Sequence, residues 1–230
     1  MEENKLITDN FNKCINGFKN GSLNMIAGVT QMGLTSLLVN IACKCNAKKV
    51  LFFTLEELRN DIEKRLETIG SNKNDIEIID NVSSVESICE MVLNSNDVDM
   101  IVIDKLSLVK AENKDYTISK LKDLAVKKDI PIILTKTITR MINYRKDKRP
   151  NLEDTYKLNS YCDKVIYLYR DEYYNASYVT NSNEMGVTYI PKYSKTLESV
   201  DVELIVAKDN TDTSQKIINI HFDRAKGNYF

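Results

Sequence analysis

The stretch Gly28-Val-Thr30-Gln31-Met32-Gly33-Leu34-Thr35 sets two glycines and a hydroxyl at the spacing G-x-x-x-x-G-x-T. Glycines at these places let backbone N–H groups curl around an anion, and a helix starting here adds the positive end of its dipole. The pattern is that of a phosphate-binding P-loop, G-x-x-x-x-G-K-[ST], with Leu34 in the lysine position. Ser36 follows the loop and completes the expected nucleotide-binding set of Gly28, Thr30 to Thr35 and Ser36. Asp104 ends the apolar run Met100-Ile-Val-Ile103, an arrangement that holds Mg²⁺ in nucleotide-binding α/β proteins, so Thr35 and Asp104 form the expected metal side. Alone, Asp104 equally fits the start of a turn. Glu56, after the run ending at Thr54, is placed to orient an attacking water or to open the next helix.

A second cluster is electrostatic. Between positions 136 and 150 lie Lys136, Arg140, Arg145, Lys146, Lys148 and Arg149 against one acid, Asp147, with Tyr144 interleaved. Lysine and arginine bind nucleic-acid phosphates without regard to sequence, and an aromatic ring can stack on a base. A solvated loop with ordinary charges would have the same composition.

These elements must be held by a frame, which the rest of the chain describes. Apolar, β-branched runs at 23–27, 49–54, 76–79, 100–104, 131–136, 164–169, 202–207 and 216–222 read as strands. Helical periodicity falls between the first five: Leu58, Ile62, Leu66 and Ile69; Val85, Ile88, Cys89 and Val92; Ile118, Leu121, Leu124 and Ala125. Residues 35–45 are apolar nearly all round, as in a helix buried against a sheet. Ser83 and Glu86 have capping-box spacing. Strand–helix alternation predicts right-handed crossovers and a parallel sheet, and the runs after Pro150 predict antiparallel strands added at one edge. Residues 175–199 read as a long loop or hairpin insertion, and residues 1–230 as one α/β domain.

Composition excludes several classes. With 33 acidic and 32 basic side chains the net charge is −1, so no general polycation is present and nucleic-acid contact needs a local patch. The apolar runs are far shorter than the roughly 20 residues that cross a bilayer, and no signal-peptide pattern opens the sequence, so a membrane partner is not expected. Five cysteines without C-x-x-C spacing and one histidine, His221, argue against zinc and point to reduced thiols in the cytoplasm. Burial of roughly 70% of the unfolded surface is expected at this length, without any staple.

Several segments occur in one order: Thr54-Leu-Glu56, Met100-Ile-Val-Ile-Asp104-Lys-Leu-Ser-Leu108, Asp147-Lys-Arg-Pro150, Tyr169-Arg-Asp-Glu-Tyr-Tyr-Asn175 and Val206-Ala-Lys208. In this the sequence resembles the C-terminal RecA-like ATPase domain of the DnaB-type replicative hexameric DNA helicases, over residues 8–222. The family's N-terminal collar domain has no counterpart in the sequence. The resemblance implies that Gly28 to Thr35 is the phosphate loop, Thr35 the Mg²⁺-side hydroxyl, Glu56 the water-orienting carboxylate and Asp104 the Walker B acid. It implies a DNA-tracking loop at the basic stretch, with Arg140 just before it, and an intersubunit role for Lys208.

Three positions depart from the family: Leu34 replaces the phosphate lysine, Lys136 a phosphate-sensing glutamine, and Asn210 the arginine finger. An arginine finger is worth about 10³–10⁵ in turnover. A charge-assisted contact contributes about 1.5–3 kcal/mol. Together these losses imply a degenerate domain that binds ATP and Mg²⁺ weakly or not at all, while contacting single-stranded DNA, replication proteins or further copies in a ring or filament. Two alternatives remain open: an active ATP-dependent helicase in which Lys136, on a strand beside the loop's strand, or a partner's arginine replaces what is missing; and an interaction scaffold without nucleotide.

Overall fold

Strands that are apolar on both faces can lie only inside a sheet covered on both sides, and the chain builds such a sheet. The computed structural model describes residues 14, 17–70, 75–139, 142, 145–175, 177–183, 186–192, 199–211 and 216–230, so Arg140 and Tyr144 lie outside the described residues. The first half alternates β1 (Leu23–Gly28), α1 (Leu34–Lys44), β2 (Lys49–Thr54), α2 (Arg59–Ile69), β3 (Asp75–Ile79), α3 (Val85–Asn94), β4 (Met100–Asp104), α4 (Lys114–Lys128) and β5 (Ile132–Thr137). Then come β6 (Lys164–Tyr169), α5 (Asp171–Asn175), β7 (Ser177–Asn183), β8 (Gly186–Lys192), β9 (Ser199–Asp209), β10 (Lys216–Asp223) and β11 (Asn228–Tyr229).

Nine strands form one sheet in the order β11-β10-β9-β6-β1-β5-β4-β2-β3. From β6 to β3 the pairs are parallel; β9, β10 and β11 are added antiparallel, as the strand-after-strand pattern past Pro150 predicts. The stretch 175–199 contains β7 and β8, which pair with each other as a separate two-stranded hairpin. Every residue of β1 and β4 is buried, and α1 buries Ser36 to Cys43.

Two local expectations shift. Leu58 is 70% exposed because it precedes α2 instead of lying on its buried face. The cap of α3 is Ser84, whose hydroxyl accepts from Ser87 N at 3.1 Å, and not Ser83, whose carbonyl accepts from Lys110 N. Val85, at the first helical position, must enter the core with Ile88 and Val92, and that fixes the helix start one residue later.

The described cysteines are free thiols, four of them buried. Burial pushes the Cys14 and Cys43 thiols up to about 11 and Cys162 to about 12, which leaves them protonated and unreactive at neutral pH. His221 sits on β10 with Nδ1 2.8 Å from an Asp201 carboxylate oxygen, a surface ladder contact. Among the described residues no helix is long and apolar enough to cross a membrane.

Candidate functional site

In a parallel sheet the strands' C-terminal ends share one edge, and ligands bind there. The order β1-β5-β4-β2 brings the ends of β1, β4 and β2 around that of β5. The turn after β1 is held at its base by Ile138 N, which donates to Gly28 O at 2.9 Å. A Cβ on Gly28 would lie 3.2 Å from Leu168 O of β6, so this close approach needs glycine. Gln31 (φ 70°) and Gly33 (φ 100°) are left-handed, and Met32 N donates to Val29 O at 3.1 Å. Left-handed residues within a turn aim successive N–H groups into one concavity, the geometry of an anion nest. Gly33 caps α1, whose first residue is Leu34.

Beneath the loop, Thr35 Oγ1 donates to Asp104 Oδ2 at 2.6 Å and Thr135 Oγ1 to Asp104 Oδ1 at 2.5 Å. Asp104 is 1% exposed. Burial pushes its carboxyl above the usual range; the two threonine hydroxyls oppose that shift, and the nearby Glu56 and Glu57 add to it. A hydroxyl and a buried carboxylate are hard oxygen donors. Among the described residues no three acidic, histidine or cysteine side chains gather into a metal site. The donor set therefore fits Mg²⁺, which takes one or two carboxylates and completes its shell with water and phosphate.

The cleft above has a volume of about 280 Å³ and is lined by Gln31, Leu34, Thr35, Glu56, Lys105 and Thr137 among others. Glu56 is paired with Lys105 at 2.6 Å. Glu57 holds Arg65 through both carboxylate oxygens at 2.9 Å, and Arg65 Nη1 reaches Ser36 Oγ at 3.1 Å. Lys136 is not brought into the cleft. Side chains alternate along β5, so with Thr135 on Asp104 and Thr137 in the cleft, Lys136 projects to the opposite face. There burial holds its ammonium below the usual lysine range, with Asp154 opposing the shift. Thr137, not Lys136, occupies the cleft position, and Lys105, Glu57 and Arg65 join it without having been singled out by motif. For Lys105 a signal existed: it directly follows a strand-terminal Asp in the sheet's central region.

The basic stretch is largely neutralised from within. Arg145 makes a two-pronged pair with Asp154 at 2.8 and 2.8 Å, and Arg149 a two-pronged pair with Glu203 while lying 4.7 Å from the Tyr169 ring centre. These carboxylates raise both guanidinium pKa values further. Lys146 is exposed, and Lys148 Nζ lies 5.6 Å from the Tyr174 ring centre. Lys208 Nζ donates to Asn159 O at 2.7 Å and Cys162 O at 2.6 Å, so it ties down the loop before β6. Asn210 is exposed just past β9, with Nδ2 3.3 Å from Asp163 Oδ1.

The family model for the DnaB-like helicase C-terminal domain matches residues 7–80 and 70–229. A probable replicative DNA helicase of Trieres chinensis is 28% identical over 219 residues, covering 75% of this chain and 48% of that protein. The replicative DNA helicase DnaB of Geobacillus stearothermophilus is 34% identical over 106 residues, 41% of this chain and 23% of that one. The chain thus spans less than half the length of these relatives. Among solved structures, an ATPase domain solved on its own superposes with a TM-score of 0.74 at 23% identity, over 96% of this chain and 89% of that one. A DnaB-like replicative helicase, solved to describe its interactions with primase, superposes with a TM-score of 0.73 at 23% identity, over 92% and 59%.

Proposed function

The chain belongs to the DnaB-like helicase C-terminal domain family, and from that premise we propose that it is a RecA-like nucleotide-binding domain of DNA replication whose hydrolytic equipment is incomplete. The observation that carries this reading is a phosphate loop with its Thr35–Asp104–Thr135 network in place but with Leu34, an apolar side chain, lining the cleft at the lysine position. The loop's N–H groups and the start of α1 receive phosphate oxygens. Thr35 and Asp104 hold Mg²⁺ beside them. When bound, the metal neutralises charge on the terminal phosphates. Glu56 is the group placed to hold a water for attack, but its carboxylate is paired with Lys105. Asn210 offers no cation to a neighbouring copy's site.

Binding therefore outlasts catalysis. Phosphate affinity drops by one to two decades without the loop lysine, at about 1.5–3 kcal/mol for a charge-assisted contact. Turnover drops further, by about 10³–10⁵, without the arginine. The domain acts through association: with other copies or replication proteins, and with single-stranded DNA through Lys146 and Lys148, the basic-stretch side chains not committed to carboxylates in two-pronged pairs. Titrating Mg·ATP into the purified chain tests the binding half, and no heat or thermal shift at millimolar nucleotide would leave a scaffold. Hydrolysis measured with and without single-stranded DNA tests the other half; turnover on the order of 1 s⁻¹ or faster marks a working motor and refutes the proposal.

A further inference from the structure

Strands β2 and β4 are parallel neighbours in the register Thr54↔Asp104, and Leu55 N donates to Asp104 O at 2.6 Å. Just beyond that pairing, Glu56 and Lys105 leave the sheet side by side, over the cleft that Leu34 also lines. Lys105 Nζ lies 2.6 Å from Glu56, with side-chain exposures of 16% and 47%. The cleft's other cation, Arg65, is committed to both oxygens of Glu57 and to Ser36. We propose that Lys105 is the phosphate-contacting cation of this cleft, taking from the end of β4 the part that the loop lysine takes in the P-loop pattern, and that an incoming polyphosphate displaces Glu56 from it. The proposal rests on the reading that the loop after β1 takes phosphate.

The exchange follows from charge and exposure. An ion pair with a half-exposed carboxylate is weakly held. A polyphosphate presents several anionic oxygens, each a stronger acceptor for an ammonium than a solvated carboxylate. The pairing also links occupancy to chemistry: Glu56 is released to face water only when phosphate has drawn Lys105 away. The ligand class is a di- or triphosphate, whether or not it carries a nucleoside.

The test is isothermal titration of the full chain with pyrophosphate and with ADP, in Mg²⁺, with a thermal melt of every variant. Lys105→Ala weakens both ligands about 10- to 100-fold, and Lys105→Arg retains most of the affinity. Glu56→Gln tightens binding in the otherwise unchanged protein and loses that effect beside Lys105→Ala, a coupling that a merely structural lysine does not give. Lys64→Gln, an equal charge change on exposed α2, stays within twofold. If Lys105→Ala lowers the melting temperature sharply, Lys105→Gln and the Glu56 comparison carry the same test. Lys105→Ala within twofold of the unchanged protein, with an intact melt, overturns the proposal. Absence of any pyrophosphate or ADP binding by the unchanged protein removes the phosphate reading of the loop itself, a distinct failure that also ends the proposal.

Discussion

Restoring the missing lysine, Leu34→Lys, tests the site directly. Leu34 is the first residue of α1, half-buried, and its Cδ2 lies 3.4 Å from where a Cβ on Gly28 would sit, so its side chain leans over the loop. A lysine stem can follow the same path and carry its ammonium into the cleft. Without ligand the change costs stability: about 0.3–1 kcal/mol for a cation at a helix N-terminus, and about 1 kcal/mol for partial loss of apolar burial. For a chain of this size that sum lowers the melting temperature by roughly 3–8 °C. With phosphate present, a charge-assisted contact contributes about 1.5–3 kcal/mol, or about 10- to 100-fold in affinity. Because Lys105 already serves the cleft, the gain lies at the low end in the unchanged background and at the high end beside Lys105→Ala. Calorimetric titration with ADP and Mg²⁺, alongside melts with and without ligand, measures both effects. A folded Leu34→Lys protein whose affinity rises less than threefold in both backgrounds refutes the claim that this loop wraps phosphate.

Asp104→Asn raises the melting temperature at pH 7. The folded carboxyl titrates above its unfolded value, so its contribution is full below the unfolded pKa and is lost as pH rises through the folded one; the gap between variant and unchanged protein therefore widens from pH 4 to 7 in a pH series of melts. Gly33→Ala costs about 2–5 kcal/mol, from a left-handed φ and a Cβ 2.7 Å from Tyr229 Oη; denaturant unfolding should show Tyr229→Phe recovering the steric part only. Arg145→Ala destabilises by about 1–3 kcal/mol because it leaves Asp154, whose side chain is 9% exposed, without its two-pronged partner. A loss of single-stranded DNA binding by that variant at unchanged stability would instead make Arg145 a DNA contact.

What the sequence made legible was whatever depends on local chemistry. Met100 to Asp104 is apolar throughout because both faces of β4 are covered, and the G-x-x-x-x-G spacing marks a turn that glycines alone permit. The same apolarity hid the parity of β5: Ile-Ile-Leu-Thr-Lys-Thr shows no alternation when both faces are buried, so Lys136 and Thr137 could not be assigned to faces without the register against β1 and β4. Charges were read as free because their partners are remote in sequence. Arg149 finds Glu203, 54 positions away, on β9, and no local pattern announces that. Glu56 and Lys105 meet only because β2 and β4 are spatial neighbours.

Tyr229 Oη donates to the Gly33 carbonyl at 3.3 Å, Tyr229 N donates to Asn40 Oδ1 at 2.9 Å, and Lys44 reaches the Tyr229 carbonyl. The phenol, fully buried, thus wedges the phosphate turn from behind across 196 positions of sequence. During synthesis, residues 28–35 leave the ribosome long before their wedge does. A nascent chain holds every ligand-facing group yet no set turn, so nucleotide cannot template its folding, and competence arrives late and all at once, when β11 docks.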